Sequence, residues 1–135
     1  MLSFTEETLL TASAALVPEL EAARATGVRL CLDNFGMGHS LYAVLARIGL
    51  DLVRVDVTAL AGRDDLDRAL LVLAAIAQSA TAFDIDVIAG GIGGPEAFGA
   101  ATAAGVSLLH GRSLPHDLTV DGVAALLAAE AVPTP

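Results

Sequence analysis

Four short segments of this chain carry residue types that handle phosphate or divalent metal. In Asp33-Asn34-Phe35-Gly36-Met37-Gly38 a carboxylate ends an apolar run and glycines follow it. A carboxylate supplies a hard oxygen ligand, and glycines let the backbone turn closely around an ion or a phosphate. The same pattern also fits a plain turn in which the acid caps a helix. Arg54 and Asp56 end the next apolar run, and a guanidinium can grip phosphate through two parallel N–H bonds. Gly90-Gly91-Ile92-Gly93-Gly94 precedes Pro95 and a helical run, a setting in which backbone N–H groups can face a phosphate. His110 closes a further apolar run and is the one histidine placed to meet the others.

Other chemistries lack support. His39, His110 and His116 have neither the i, i+4 spacing nor the companion ligands of a zinc site. Ser3, Ser40 and Ser113 stand outside any G-x-S-x-G setting. Cys31 lies between Leu30 and Leu32 and reads as a buried small hydrophobe. No residue is assigned a catalytic role.

Short β-rich runs position these segments: Leu2–Thr5, Val28–Asp33, Leu52–Asp56, Asp86–Ala89 and Val106–Leu109. Longer Ala/Leu-rich runs alternate with them over Glu6–Thr26, Ser40–Ile48, Asp64–Phe83, Pro95–Ala104 and Thr119–Glu130. Strands separated by helices imply parallel β–α units, and near-continuous apolar strands fit a sheet covered on both faces. Gly27 suits the position after a helix, and Pro18 starts a second helix or kinks the first. Five such units form an α/β fold, either part of a (β/α) barrel or an open flavodoxin-like sheet. Both put function at the C-terminal ends of the strands, where the four segments fall. Residues 1–130 read as one domain and 131–135 as a tail.

Composition bounds the partners. The 135 residues are 55% hydrophobic with a net charge of −9, and all seven bases are arginine. Disorder is excluded by so much apolar surface, and an acidic chain is a poor partner for a nucleic acid polymer or an anionic membrane. Apolar stretches such as Ala69–Ala77 fall well short of the roughly 20 residues a spanning helix needs. No signal peptide is visible and a single cysteine excludes an internal disulfide, so a cytoplasmic location is expected.

The ordered segments resemble the second part of an EAL domain, the cyclic-di-GMP phosphodiesterase family. That family reads D-D-F-G-T-G-Y-S-S-L, then P-V-D-x-x-K-I-D, A-E-G-V-E and Q-G-Y. Here the series is L-D-N-F-G-M-G-H-S, I-G-L-D-L-V-R-V-D, V-I-A-G-G-I-G and G-V-S-L-L-H-G, and Leu2-Ser3-Phe4-Thr5-Glu6 resembles the family's E-x-T-E strand. The resemblance implies a barrel that hydrolyses cyclic-di-GMP to pGpG with two Mg²⁺ or Mn²⁺ ions bound by carboxylates and one Asn. Carried over residue by residue, Ser3 replaces a metal-binding Glu, Asp33 keeps the first Asp, and Asn34 replaces the second. Arg54 replaces the family Lys, Gly90 and Gly93 replace acids, and His110 replaces the Gln. The E-A-L segment and the Asn-bearing strand are expected upstream of residue 1.

Two divalent ions need several carboxylates to offset their repulsion, and one acid, Asp33, stands at the ligand positions. The expectation is therefore an inactive, truncated EAL-like module that regulates or binds protein in cyclic-di-GMP signalling, with no cofactor. Asp33 is a weak metal ligand at most, and Asn34, Arg54, Asp56, Gly90, Gly91 and His110 form a vestigial substrate site. One alternative is a metal-independent cyclic-di-GMP receptor; another is phosphodiesterase activity completed by a partner chain. An unclosed barrel leaves strand edges and core exposed, so self-association or a covering partner is expected.

Overall fold

The computed structural model describes residues 1–11, 15–36, 48–60, 65–106 and 108–111. Five parallel strands, β1 (Leu2–Thr5), β2 (Leu30–Asp33), β3 (Leu52–Asp56), β4 (Asp86–Gly90) and β5 (Leu108–Leu109), form one sheet in the order β1-β2-β3-β4-β5. That consecutive order is the winding of a barrel arc. A flavodoxin-like sheet reverses direction after its first strands, in the order 2-1-3-4-5, and this sheet does not. Among the described residues β1 and β5 pair on one side only, so the arc stays open.

Alternation along the strands separates two faces. Phe4, Leu30, Leu32, Val53, Val55, Val87 and Ala89 face the helices and share one apolar cluster with Leu73, Ile76, Ala77 and Ala80. Cys31, Asp33 and Arg54 lie on the opposite, inner face. Parallel strands joined by helical crossovers bury their helix-facing side in this way.

The helical runs mostly fall where the sequence places them. The first one divides into α1 (Glu6–Thr11) and α2 (Leu16–Ala25), with Pro18 in the first turn of α2, where its missing N–H costs no hydrogen bond. Gly27, at φ +91°, follows the Thr26 cap and donates to Arg24 O. The short helix α3 (Val57–Leu60) was not expected from the sequence. Helix α4 (Leu66–Ala82) starts at Asp65, whose carboxylate accepts from Arg68 N at 3.0 Å. Helix α5 (Pro95–Ala103) carries Pro95 as its first residue.

Two strands are shorter than their apolar runs because the preceding helices close with the first residues. Val28 N bonds Ala23 O, and Val106 N bonds Ala101 O. The helical runs expected over 40–48 and 119–130 lie outside the described residues, Ile48 excepted, as do His39, Ser40, Ser113, His116 and the 131–135 tail. Among the described residues no helix is long and apolar enough to cross a membrane.

Candidate functional site

Parallel register brings the C-terminal ends of β1 to β4 side by side. Thr5 pairs with Asp33, Leu32 with Val53, and Asp56 with Gly90. Two of the predicted site residues meet there directly. Arg54 Nη1 lies 2.9 Å from Asp33 Oδ1, with the two side chains 41% and 24% exposed. The backbone reinforces the contact, because Phe35 N donates to Arg54 O at 2.9 Å and Phe35 is buried.

Beneath this pair sits Cys31, fully buried, with its Sγ 3.8 Å from Asp33 Oδ1. Burial, and then the charge of Asp33, push the Cys31 thiol up from its ordinary value. That suits a packed small side chain and removes thiolate character. Ser3 stands opposite Cys31 in the register.

Asn34 stands apart from that pair. It is exposed in the turn after β2 at φ +56°, a left-handed conformation that Asn tolerates better than most residues. Backbone geometry is thus sufficient reason for Asn here.

Asp56 is engaged locally. Its Oδ1 accepts from Thr58 N at 2.9 Å and Thr58 Oγ1 at 2.7 Å, which caps α3. Gly91, at φ +74°, packs against the same carboxylate; a Cβ there would sit 2.8 Å from Asp56 Oδ1 and 2.9 Å from Thr58 Cγ2. Gly90 is buried at the end of β4.

The exposed residue His110 enters through its backbone. Its N–H donates to Ala89 O at 2.8 Å, and its carbonyl accepts from Ile92 N at 3.4 Å. Gly111 then runs against the loop so closely that a Cβ would lie 2.1 Å from Ile92 O. Ile92 itself is buried in the core. Packing against Asp56, Thr58 and Gly111 therefore accounts for the loop's shape.

These residues do not fit a two-metal centre. Among the described residues no three His, Cys, Asp or Glu side chains cluster as ligands. Asp33 carries an ion pair, Asp56 caps a helix, and Ser3, Gly90 and Gly93 supply no carboxylate. Glu6, at the start of α1, is 8% exposed, and its Oε1 has no hydrogen-bond partner among the described residues. It belongs to no ligand cluster among them.

Sequence reasoning missed a second polar centre, at the N-terminal ends of the strands. Arg24 Nε and Nη2 both reach Asp51, which also accepts Leu30 N at 2.8 Å. The hydrogen bond from Arg24 is the chief reason the Asp51 carboxyl is held below its ordinary value. Arg29 pairs with Asp86 nearby, and Glu21 Oε1 accepts Gly49 N at 3.0 Å. A concavity of about 350 Å³ is lined by Glu21, Arg24, Arg29 and Asp51 among others. Its charges satisfy one another, and this end of a β/α arc serves stability. Asp51 belongs to the quoted motif series, so the residue was visible although its role was not.

Comparison with known proteins gives a consistent picture. The family model described as "EAL domain" matches residues 1–115. Cyclic di-GMP phosphodiesterase NbdA of Pseudomonas aeruginosa is 33% identical over 95 residues, which is 70% of this chain and 12% of that protein. The crystal structure of the EAL domain of Mycobacterium smegmatis DcpA superposes with a TM-score of 0.78 at 23% identity, covering 97% of this chain and 59% of that one. The manganese/cy-diGMP complex of Klebsiella pneumoniae BlrP1 gives a TM-score of 0.70 at 26% identity, covering 82% of this chain and 28% of that one. The chain thus spans only part of the length of each relative.

Proposed function

Since this chain belongs to the EAL domain family, we propose that it is a non-catalytic module of cyclic-di-GMP signalling that works by regulating or binding another protein. The observation that carries this reading is the engagement of Asp33. The one acid retained at the family's ligand positions is ion-paired with Arg54 at 2.9 Å. The other changes act in the same direction. Ser3, Gly90 and Gly93 stand where the resemblance puts acids, and Arg54 stands where it puts Lys. A guanidinium does not reproduce the compact ammonium. Relatives such as the BlrP1 complex carry manganese with cyclic-di-GMP, and the donor set here argues against the same metal chemistry.

A second reading has one observation in its favour. The Arg54 side chain is 41% exposed at the strand ends, so this module could take cyclic-di-GMP without metal, as a receptor. Isothermal titration with cyclic-di-GMP, with and without Mg²⁺, separates the readings. The non-catalytic interaction module predicts no binding in either condition. Metal-independent binding lost in Arg54→Ala would establish the receptor instead. Binding that requires Mg²⁺ would overturn both readings.

A further inference from the structure

We propose that the Arg54–Asp33 ion pair is an internal substitute for a bound cation, in which each residue withholds the other from its ligand. Arg54 keeps divalent metal off Asp33, and Asp33 keeps phosphate oxyanions off Arg54. The proposal rests on the non-catalytic reading of the same strand ends, and metal-independent cyclic-di-GMP binding through Arg54 would contradict it, whereas the probes below test the pair without that nucleotide.

Four observations carry it. The partners come from neighbouring strands whose register sets residues 33 and 54 at adjacent strand ends on one sheet face. Their backbones are tied as well, by the hydrogen bond from Phe35 N to Arg54 O, and the Phe35 ring is anchored in the core. The contact is thus built into the fold, unlike an ion pair between two long mobile surface side chains. Asp33 Oδ1 is 2.9 Å from Nη1 and also lies 3.8 Å from the buried Cys31 Sγ. A divalent ion would have to displace the guanidinium to use that oxygen. Finally, Asp56 Oδ1 is occupied by Thr58, and no cluster of three or more His, Cys, Asp or Glu side chains exists among the described residues to offset the cost of that displacement.

The same logic runs in reverse for Arg54. A guanidinium held against a carboxylate has its charge offset and offers less attraction to an anion. Removing the charge of Asp33 leaves a positive, half-exposed side chain at the strand ends, which is the chemistry of an oxyanion site.

The test is a double-variant cycle on the full chain, read by amide NMR and titration. Mn²⁺ is the metal probe, followed by paramagnetic broadening of the residue 33 and 54 amides. Metal-free inorganic pyrophosphate is the anion probe. Arg54→Met should gain at least tenfold in Mn²⁺ affinity at residue 33 over the wild type. Asp33→Asn should gain at least tenfold in pyrophosphate affinity, and the double variant should lose the specific gain for both probes. If Arg54→Met does not fold, the near-isosteric Asp33→Asn variant still decides through its pyrophosphate arm. A wild type that binds Mn²⁺ at residue 33 as tightly as Arg54→Met would overturn the proposal. So would an Asp33→Asn variant whose pyrophosphate affinity is unchanged.

Discussion

Gly91 and Asp56 face each other across the ends of β4 and β3 so closely that the glycine has no room for a side chain. A Cβ on Gly91 would lie 2.8 Å from Asp56 Oδ1, and the residue sits at φ +74°. The contact gives the glycine-rich loop a packing explanation, which leads to distinct expectations for its members.

Gly91→Ala should destabilise the fold by about 1–3 kcal/mol, through the close contact and the left-handed backbone. Gly111→Ala should cost as much or more, because its Cβ would lie 2.1 Å from Ile92 O. Gly93→Ala meets nothing within 4 Å and should stay within about 0.5 kcal/mol of the wild type. Chemical denaturation of the three variants checks this. Equal losses at all three positions would contradict a packing role.

Asp56 is expected to act as a helix cap. Asp56→Ala removes the acceptor for Thr58 N and Oγ1 and should cost about 1 kcal/mol. Thermal unfolding measures it, and Asp56→Asn, which keeps an oxygen acceptor, should recover most of the loss.

Acid should weaken the base of the sheet. Asp51 is held below its ordinary value first by the Arg24 hydrogen bond, with Leu30 N also donating to it. A depressed folded pKa means the stabilisation is complete above the unfolded value of about 3.9 and is lost as pH falls through the lower folded value. Asp51→Asn should therefore lower the unfolding midpoint at pH 7, by about 1–2 kcal/mol of stability. The gap to wild type should close as the pH is taken below 4. A gap independent of pH would contradict the assignment.

The open arc should self-associate. Among the described residues β1 and β5 are the outer strands of the sheet, and on them Leu2 is 42% and Leu108 39% exposed. Paired edges and covered apolar side chains are the usual remedy for such a sheet. Light scattering of the 135-residue chain should give a mass above that of a monomer, reduced in Leu2→Lys or Leu108→Lys. A monomer that binds no apolar dye would contradict it.

The repeated β–α units were legible in the sequence because strand and helix runs differ in length and turn chemistry, as Gly27 and Pro95 show. The strand order did not follow from those local units alone, since a barrel arc and a flavodoxin-like sheet share them; the motif series resembling an EAL domain favoured the barrel arc, and the order β1-β2-β3-β4-β5 agrees with it. At the strand ends, the positions of Asp33, Arg54 and Asp56 followed from the periodicity, but their partners did not. The Arg54–Asp33 contact depends on β2–β3 register, and the capping of Asp56 depends on Thr58, a residue with no distinctive signal. The Arg24–Asp51 centre joins residues 27 positions apart, beyond the reach of any local pattern. Helix α3 was missed because a four-residue helix leaves no period to read.

The most direct test of the account is chromatographic assay of pGpG formation from cyclic-di-GMP by this chain, with Mg²⁺ or Mn²⁺ in excess. A site whose one retained ligand carboxylate is committed to Arg54 predicts no product above the protein-free control with either metal. Metal-dependent pGpG formation, abolished by Asp33→Asn, would show that Asp33 still serves a catalytic metal and would contradict the account.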